Sequence, residues 1–234
     1  MSFTCKICKN EFALKFCRRF NSQCKFTNKL LERYQCPNCG VILGTLEMIN
    51  NPTDKMLIGH DNIYNNIYNN NPDFLEDFNN AKISELKTFL SLEPDRNKIY
   101  LDYGFGRSSL LIDKLNDAGF NVYGYDAFTD TIGSKTTNDK SFFKNIKFDG
   151  IFSHNVLEHF QNPIDEFLFM NGLLKSNGKM AHATPCYKYL YEFTIFHLYF
   201  FVENSIDYLC KNSGFKIFKK MIDGEYINYI YIKA

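Results

Sequence analysis

The sequence predicts an α/β protein with a mostly parallel sheet and a small cysteine-rich module in front of it. Strand and helix patterns alternate from about residue 99 onward, and alternation of this kind builds parallel sheets. Near Asp102 an apolar strand turns directly through two glycines, and two Cys-x-x-Cys pairs lie near the N-terminus. The 234 residues are enough for one such domain and a small appendage.

The predicted elements follow from hydrophobic periodicity and from helix and turn signals. From Pro72 onward, apolar residues at helical spacing predict a helix that Pro94 and Asp95 end. Pro163 after Asn162 is typical of a helix start, and Asp223-Gly224 is typical of a hairpin turn, which makes the last strand antiparallel. Residues 127–147 are polar and show no clear strand. The other predicted elements are strand 99–103, helix 107–118, strand 120–125, strand 148–153, helix 163–174, a stop at Gly178, strand 179–184, helix 204–212 and strands near 215–221 and 226–232.

The segment IYLDYGFGRSS, followed twenty residues later by a strand that ends on Asp126, is the most informative motif of the chain. Glycines after a buried strand let backbone N–H groups approach a ligand, and a carboxylate at the end of the next strand can hold ribose hydroxyls. Dinucleotide-binding Rossmann domains and class I methyltransferases both use this arrangement. The nicotinamide type has a third glycine three residues after the second, and this chain has no glycine there, so nothing indicates a pyrophosphate.

Four cysteines form two knuckles, at Cys5 and Cys8 and at Cys36 and Cys39. Two such pairs complete a closed tetrahedral site, so we expect one structural Zn²⁺, with a small hairpin or helix in the gap. A redox dithiol is the main alternative, but one pair would serve that purpose, and the thioredoxin context is missing. The remaining cysteines have no knuckle spacing and are expected to be ordinary or core residues.

The sequence divides into a zinc module over residues 1–45, a polar linker or cap over 46–73 and an α/β domain over 74–234. The net charge of +1 gives the whole molecule no bias toward nucleic acid, although residues 1–40 are locally basic. No apolar run approaches the ~20 residues that cross a bilayer. The N-terminus has no signal-peptide core, so we expect a cytoplasmic protein with unpaired cysteines.

From about residue 75 to 234, the chain resembles a class I S-adenosylmethionine-dependent methyltransferase. The resemblance is carried, in order, by LDYGFGRSSLL, VYGYDAF, FDGIFSHNVLEHF, LLKSNGKMAHATP and HLYFFVENSIDYLCKNSGF. It implies a Rossmann-like, seven-stranded, mostly parallel sheet with an antiparallel C-terminal hairpin strand. It also implies S-adenosylmethionine as the cofactor.

The resemblance assigns roles to six residues around that cofactor. Asp102 would orient its methionine end, and Asp126 would take the ribose hydroxyls. The backbone at Gly104 and Gly106 would give it room. His154 and Asn155, at the end of the fourth strand, would line the groove beside the sulfonium. Both aspartates could instead cap turns.

The module that ends in YQCPNCG is similar to one found on methyltransferases that modify sugars of antibiotics and bacterial surface polysaccharides. The sugar C-methyltransferases of this kind carry a further C-terminal domain, and this sequence ends after its last strand. We therefore expect O-methylation of a sugar or nucleotide-linked sugar, as in surface polysaccharide biosynthesis. The alternatives are an RNA methyltransferase that grips RNA with its basic module, and a non-catalytic module that keeps the cofactor fold.

Methyl transfer to a hydroxyl needs positioning and a base, and histidine is the natural base near neutral pH. His159 follows the fourth strand and His197 begins an aromatic segment, so these two are the candidates, ahead of His60 and His182. A rival interpretation concerns metal. Methyltransferases for ubiquinone precursors and small-RNA 3′ ends carry Glu-x-x-Glu-His here, which binds a divalent cation. This chain has Asn155-x-x-Glu158-His159, and losing the first carboxylate lowers the affinity for a hard cation.

Overall fold

The computed structural model describes residues 2–23, 30–50, 74–189 and 196–234, and these form two compact units. The first unit draws its described residues from Met1–Asn80, Glu158–Ile164 and Pro185–Asn212. The second comprises Ala81–Leu157, Asp165–Thr184 and Ser213–Ala234. Most of the predicted linker or cap, together with Cys24 and His60, lies outside the described residues.

The helices and strands are numbered here along the chain. The N-terminal elements are β1 (Ser2–Thr4), β2 (Glu11–Ala13), β3 (Arg19–Gln23), β4 (Leu30–Gln35), β5 (Ile42–Leu43) and α1 (Leu46–Asn50). Then follow α2 (Phe74–Leu90), β6 (Ile99–Tyr103), α3 (Leu110–Asp117), β7 (Asn121–Tyr125), β8 (Thr136–Thr137) and β9 (Phe148–His154). The C-terminal elements are α4 (Pro163–Leu173), β10 (Leu174–Thr184), β11 (Tyr199–Phe200), α5 (Ser205–Ser213), β12 (Phe215–Asp223) and β13 (Tyr226–Lys233).

In the first unit, a four-stranded antiparallel sheet combines N-terminal strands with one strand from much later in the chain. Its order is β11-β5-β4-β3, and β11 pairs with β5 through Tyr199 opposite Leu43. The β3–β4 hairpin fills the gap between the two cysteine knuckles, as expected. Arg33 on β4 is fully buried, donates a 3.0 Å hydrogen bond to the carbonyl of His197 and lies 4.8 Å from the Phe200 ring.

The second unit is built on a seven-stranded sheet with the order β12-β13-β10-β9-β6-β7-β8. Strands β8, β7, β6, β9 and β10 are parallel, and β13 runs antiparallel to both of its neighbours. The predicted fold class is therefore confirmed. Strand β8 has two residues, which agrees with the polar composition of residues 127–147.

Two element boundaries differ from the sequence prediction. Helix α3 begins at Leu110 instead of 107, because the Arg107 carbonyl accepts from the Thr131 hydroxyl, and the first helical bond is from Asp113 N–H to the Ser109 carbonyl. The sequence predicted that the helix from Pro163 stops at Gly178 and that the next strand begins at residue 179. This is wrong, because β10 already begins at residue 174. Its pairing with β9 starts there and shifts register before residue 179.

The core of the second unit packs α2 and α3 against the sheet around Phe89. This ring is fully buried and lies between 5.2 and 5.3 Å from the rings of Tyr100, Phe120 and Phe152. Phe152 lies on β9 in the middle of the sheet, so the contact fixes α2 over the strands that end at the candidate site. None of the helices in the described part of the chain has the length and hydropathy needed to cross a bilayer.

We expect Phe89→Ala to lower the free energy of unfolding by about 3–5 kcal/mol, because it leaves a cavity among three aromatic rings. Leu90→Ala is the matched control, since the neighbouring side chain is 51% exposed. Urea unfolding followed by circular dichroism measures both. Equal losses for the two variants would contradict the packing described for α2.

Candidate active site

The loop after β6 approaches the end of β9 so closely that a side chain cannot stand at position 104. Gly104 has a φ of +96°, and a Cβ atom there would collide with the side chain of Val156. Gly106 has a φ of +77°, and a Cβ there would meet no atom within 4 Å. Both conformations favour glycine. The first glycine thus permits packing between loops, while the second leaves open space beside the backbone.

Asp102 lies at the end of β6, only 1% exposed, and its two carboxylate oxygens have no hydrogen-bond partner among the described residues. Burial, followed by repulsion from the Glu85 carboxylate, raises the pKa of Asp102 well above its ordinary value. Glu85 on α2 is itself buried and pairs with Lys82 at 2.7 Å. A buried acceptor without a donor is costly, so this position fits a ligand that brings a cationic or N–H donor.

Asp126 connects the glycine loop to the end of β7. Its Oδ2 accepts from Gly106 N–H at 3.0 Å and its Oδ1 accepts from Phe128 N–H at 2.8 Å. The side chain therefore caps both turns. It is partly exposed. A carboxylate oxygen can accept more than one hydrogen bond, so accepting from a backbone N–H does not prevent it from accepting from a ligand hydroxyl. The turn-capping and the ribose-binding interpretations of the sequence are thus compatible.

His154 ends β9 and lines a cavity of about 280 Å³, and Asn155 follows it. The His154 ring lies 4.5 Å from the ring of Tyr226, whose hydroxyl accepts a 3.3 Å hydrogen bond from Asn155. Asn155 has a φ of +57°, a strained value for a residue with a side chain, and its N–H donates to the Ala183 carbonyl. Residues of α2, β9, β10, β12 and β13 line the cavity.

In the first unit, Glu158, His159 and His197 form a cluster. One potential ligand atom from each lies within 4.8 Å of the others, and the two imidazole rings are 4.9 Å apart at 78°. Glu158 and His197 are buried, and His159 is partly exposed. The two histidines were separate candidates in the sequence, and the structure brings them together. The same three groups could also hold a divalent cation.

Hydrogen bonds fix the orientation of both rings. The Nδ1 of His159 lies 2.9 Å from the Phe196 carbonyl, which can only accept, so Nδ1 carries the proton. The lone pair of a neutral His159 is then on Nε2. The Nδ1 of His197 lies 3.2 Å from the buried sulfur of Cys186. An imidazole whose second nitrogen is held in this way is typical of both catalytic bases and metal ligands.

The four knuckle cysteines converge in the first unit. Their sulfurs lie within 4.8 Å of one another, with Cys5 and Cys39 at 3.8 Å and Cys8 and Cys36 at 3.6 Å. Zn–S bonds of about 2.3 Å place tetrahedral sulfurs about 3.8 Å apart, so the spacing fits Zn²⁺. Hydrogen bonds from the neighbouring thiols and backbone N–H groups lower the pKa of Cys36, which favours a thiolate.

Several residues around these sites gave no signal in the sequence. The sequence did not single out Arg33 or Glu85, and it marked Cys186 only as an isolated core or pocket cysteine. Asn228 belonged to an apparently plain strand. His182 is a core residue: it is fully buried, lies within hydrogen-bond distance of the Ser153 hydroxyl, and burial lowers its pKa to about 3.

Comparison with known proteins identifies the family of the chain. A family model described as a methyltransferase domain matches residues 75–220, more than half of the chain. Among curated protein sequences, none matches this chain.

Solved structures share the fold at low identity. 1,6-Didemethyltoxoflavin-N1-methyltransferase from Burkholderia thailandensis, solved with S-adenosylhomocysteine, is 13% identical with a TM-score of 0.59, covering 87% of this chain and 96% of that one. An S-adenosylmethionine-dependent methyltransferase from Clostridium acetobutylicum is 15% identical with a TM-score of 0.52, covering 75% and 99%. CalO1, a methyltransferase in calicheamicin biosynthesis, is 10% identical with a TM-score of 0.56, covering 77% of this chain and 60% of its own.

We expect Asp102→Asn to stabilise the ligand-free protein at neutral pH. Because the pKa of Asp102 is raised in the folded state, folding takes up a proton at pH values between the ordinary and the raised pKa. The stability of the wild type therefore falls as the pH rises through that window. Asparagine does not titrate. The gain should therefore disappear near pH 4, about the ordinary pKa of an aspartate, and grow toward neutrality in urea unfolding experiments.

Asp149→Asn is the matched control with the opposite sign. Burial acts to raise the pKa of Asp149, but hydrogen bonds from Lys175 and from Ile99 N–H lower it below its ordinary value. That variant should lose stability at neutral pH, and the loss should shrink as the pH falls. A destabilised Asp102→Asn variant would show that the carboxylate has a partner in the ligand-free protein.

Proposed function

Because this chain belongs to the methyltransferase-domain family, we propose that it transfers a methyl group from S-adenosylmethionine to a hydroxyl of a sugar or nucleotide-linked sugar. The observation that carries O-methylation is the cluster of Glu158, His159 and His197. It offers an oriented base. Methyl transfer to a hydroxyl requires such a base, whereas transfer to a neutral amine needs one far less.

The residues of the second unit fit the cofactor. The partnerless oxygens of Asp102 would accept from the ammonium of its methionine part. Asp126, which is partly exposed after the end of β7, would accept from ribose hydroxyls, and the open space at Gly106 would let the chain pass close to the ligand. His154 and Asn155 would complete the wall. When bound, the sulfonium supplies an electrophilic methyl group, and the protein has to orient the acceptor and take its proton.

We propose that His159 takes the proton from the acceptor hydroxyl. Its Nδ1–H is held by the Phe196 carbonyl, so the lone pair of the neutral ring is on Nε2, and a positive charge that develops on the ring is stabilised by the nearby Glu158 carboxylate. His197 lies against the same ring and is itself fixed by Cys186 and, through its carbonyl, by Arg33. His197 would then contact the acceptor.

A sugar acceptor is supported by the resemblance of the N-terminal module to that of sugar methyltransferases. Two neighbours in fold, the toxoflavin enzyme and CalO1, are described as acting in small-molecule chemistry. This agrees with a small acceptor and leaves its identity open to experiment. In the same proposal, Cys5, Cys8, Cys36 and Cys39 bind one structural Zn²⁺.

A metal-assisted version of the same reaction is favoured by one observation. Glu158, His159 and His197 together make a two-histidine, one-carboxylate set, whose histidines are held through their other nitrogens. A divalent cation there would orient acceptor hydroxyls. The reaction class is unchanged, but the histidines would then be ligands.

We expect His159→Ala to lower kcat by about 10²–10⁴-fold, the usual contribution of a positioned base. Affinity for S-adenosylhomocysteine, measured by calorimetry, should be unchanged, because the residues assigned to the cofactor are elsewhere. His182→Ala is no control, since that ring is part of the core. His197→Ala should raise the KM for the acceptor more than it lowers kcat.

Assays with EDTA and with added Mg²⁺ or Mn²⁺ separate the two versions. Activity that EDTA removes and a divalent cation restores would move His159 from base to ligand. Loss of a catalytic base usually lowers kcat by more than about tenfold. If both histidine variants retain at least about a tenth of the wild-type kcat, the assignment of a histidine as the base is wrong.

We expect about one tightly bound Zn²⁺ per chain, since four cysteines suffice for one closed tetrahedral site. Cys36→Ser should abolish it and expose the first unit to proteolysis, because metal binding is itself folding energy there. Cys210→Ser is the matched control, since Cys210 is a buried cysteine outside the cluster. Metal analysis of protein purified without chelators decides the outcome, and zinc-free folded protein would contradict the assignment.

A further inference from the structure

The second cysteine knuckle is the turn of a hairpin in the first unit. Strand β4 ends directly before Cys36, and β5 pairs with it antiparallel after the turn. Within the turn, Gly40 N–H donates to the Cys36 carbonyl at 3.0 Å. Arg33 on β4 precedes the turn and Gly44 directly after β5 follows it. Residues 33–44 are called the knuckle hairpin below.

The knuckle hairpin holds the segment that carries His197 from both of its arms. From β4, the fully buried Arg33 donates to the His197 carbonyl at 3.0 Å. After β5, Gly44 N–H donates to the Leu198 carbonyl at 2.7 Å, and the next residues of the segment form β11, which pairs with β5. The hairpin therefore fixes the backbone on which the imidazole of His197 stands.

The same segment holds the other two members of the histidine cluster. The Phe196 carbonyl accepts from Nδ1 of His159 at 2.9 Å, and Leu198 N–H donates to the Glu158 carbonyl at 2.8 Å. His197 lies between these two contacts in the chain. A stretch of three residues thus positions both rings and the backbone of Glu158, so a shift of this stretch would disturb the whole cluster.

The hairpin and this segment leave no room for a side chain at Gly44. A Cβ atom there would lie 2.5 Å from the His197 carbonyl oxygen and 2.7 Å from the Leu198 Cα, whereas ordinary van der Waals contact begins at 3.4 Å. One of the two backbones would have to move by about 1 Å. Gly44 does not have a positive φ, so alanine is opposed at this position by the contact alone.

We propose that Arg33 and Gly44 are positioning residues for methyl transfer, which makes the knuckle hairpin a part of the catalytic cluster. The hairpin acts through the backbone of residues 196–198 and takes no proton itself. The link to methyl transfer rests on the proposed function, whereas the hold on the histidines rests on contacts within the first unit. Because the hairpin carries Cys36 and Cys39, the cysteine site and the histidine cluster share one structural element.

NMR of the full chain tests this hold without an acceptor. In protein labelled with ¹⁵N-histidine, the ring shifts report which nitrogen carries the proton, and the His159→Ala variant assigns the His159 signals. At about pH 8.5, two units above the ordinary pKa of histidine, we expect the neutral His159 ring to carry its proton on Nδ1. Gly44→Ala and Arg33→Met should weaken the hydrogen bond to the Phe196 carbonyl, so that part of the molecules carry the proton on Nε2.

Each variant has a matched control. Gly172→Ala adds the same methyl group on α4, where a Cβ atom would meet no atom within 4 Å. Arg19→Met removes an arginine from the neighbouring strand β3, where its side chain is 56% exposed. Both controls should leave the His159 signals unchanged. Arg33→Lys keeps a cation and a donor for the His197 carbonyl, so its signals should lie between those of the wild type and Arg33→Met. It decides the outcome if circular dichroism shows that the other two variants do not fold.

Methyl transfer from labelled S-adenosylmethionine to a panel of nucleotide sugars supplies a second readout. A misplacement of about 1 Å can cost about 10²-fold in rate, so we expect Gly44→Ala to lower kcat by about 10²-fold. Affinity for S-adenosylhomocysteine should be unchanged. In the His159→Ala background, Gly44→Ala should lower kcat by less than about twofold, because both changes act through one ring. Additive losses would indicate a general effect on folding and overturn the proposal.

The remaining outcomes are also decisive. Unchanged His159 signals in folded Gly44→Ala and Arg33→Met would overturn the proposal, as would equal changes in the controls. Altered His159 signals, in a protein whose wild type methylates no nucleotide sugar, would leave the hold of the hairpin standing and sink the proposed function. Methyl transfer that Gly44→Ala and Arg33→Met leave intact would do the reverse.

Discussion

The close approach of Gly104 to Val156 is the constraint on which the ligand-facing edge of the sheet depends. A left-handed glycine lets the loop after β6 touch the residue that follows β9, and the Gly104 N–H donates to the Tyr125 carbonyl at the end of β7. Three parallel strands are thereby fixed relative to one another at their carboxyl ends. Because Asp102 and His154 sit on two of those ends, their positions follow from one backbone contact that tolerates no side chain.

The parts of the fold that the sequence predicted are those with a local signature. The strand ending at Tyr103, the glycine loop and the helix beginning at Pro163 each depend on neighbours within a few residues, so periodicity and turn chemistry are enough. Asp102, Gly104 and Gly106 belong to these segments, while the roles of all six residues assigned to the cofactor were implied by the resemblance to methyltransferases. The predicted start of α3 at residue 107 was wrong, because the Arg107 carbonyl accepts a hydrogen bond from the Thr131 hydroxyl.

What the sequence could not show depends on contacts between distant segments. His159 and His197 are 38 residues apart and share no periodic pattern, yet their rings touch. Arg33 belongs to a residue type that is almost never fully buried unless it is paired, and its acceptor lies 164 residues away. The Asn228 side chain donates to the hydroxyl of Ser91, which lies 137 residues earlier in the chain. Spacing along a chain carries no information about such pairs.

Strands β5 and β11 pair in the folded protein but leave the ribosome at different times. Chains emerge N-terminus first, so β5 leaves the tunnel when the strand that covers its edge has not been synthesised. Until about residue 200 appears, that edge presents unpaired backbone groups of the kind that invite association with other chains. The four-stranded sheet of the first unit can therefore be completed only after residue 200 has left the ribosome.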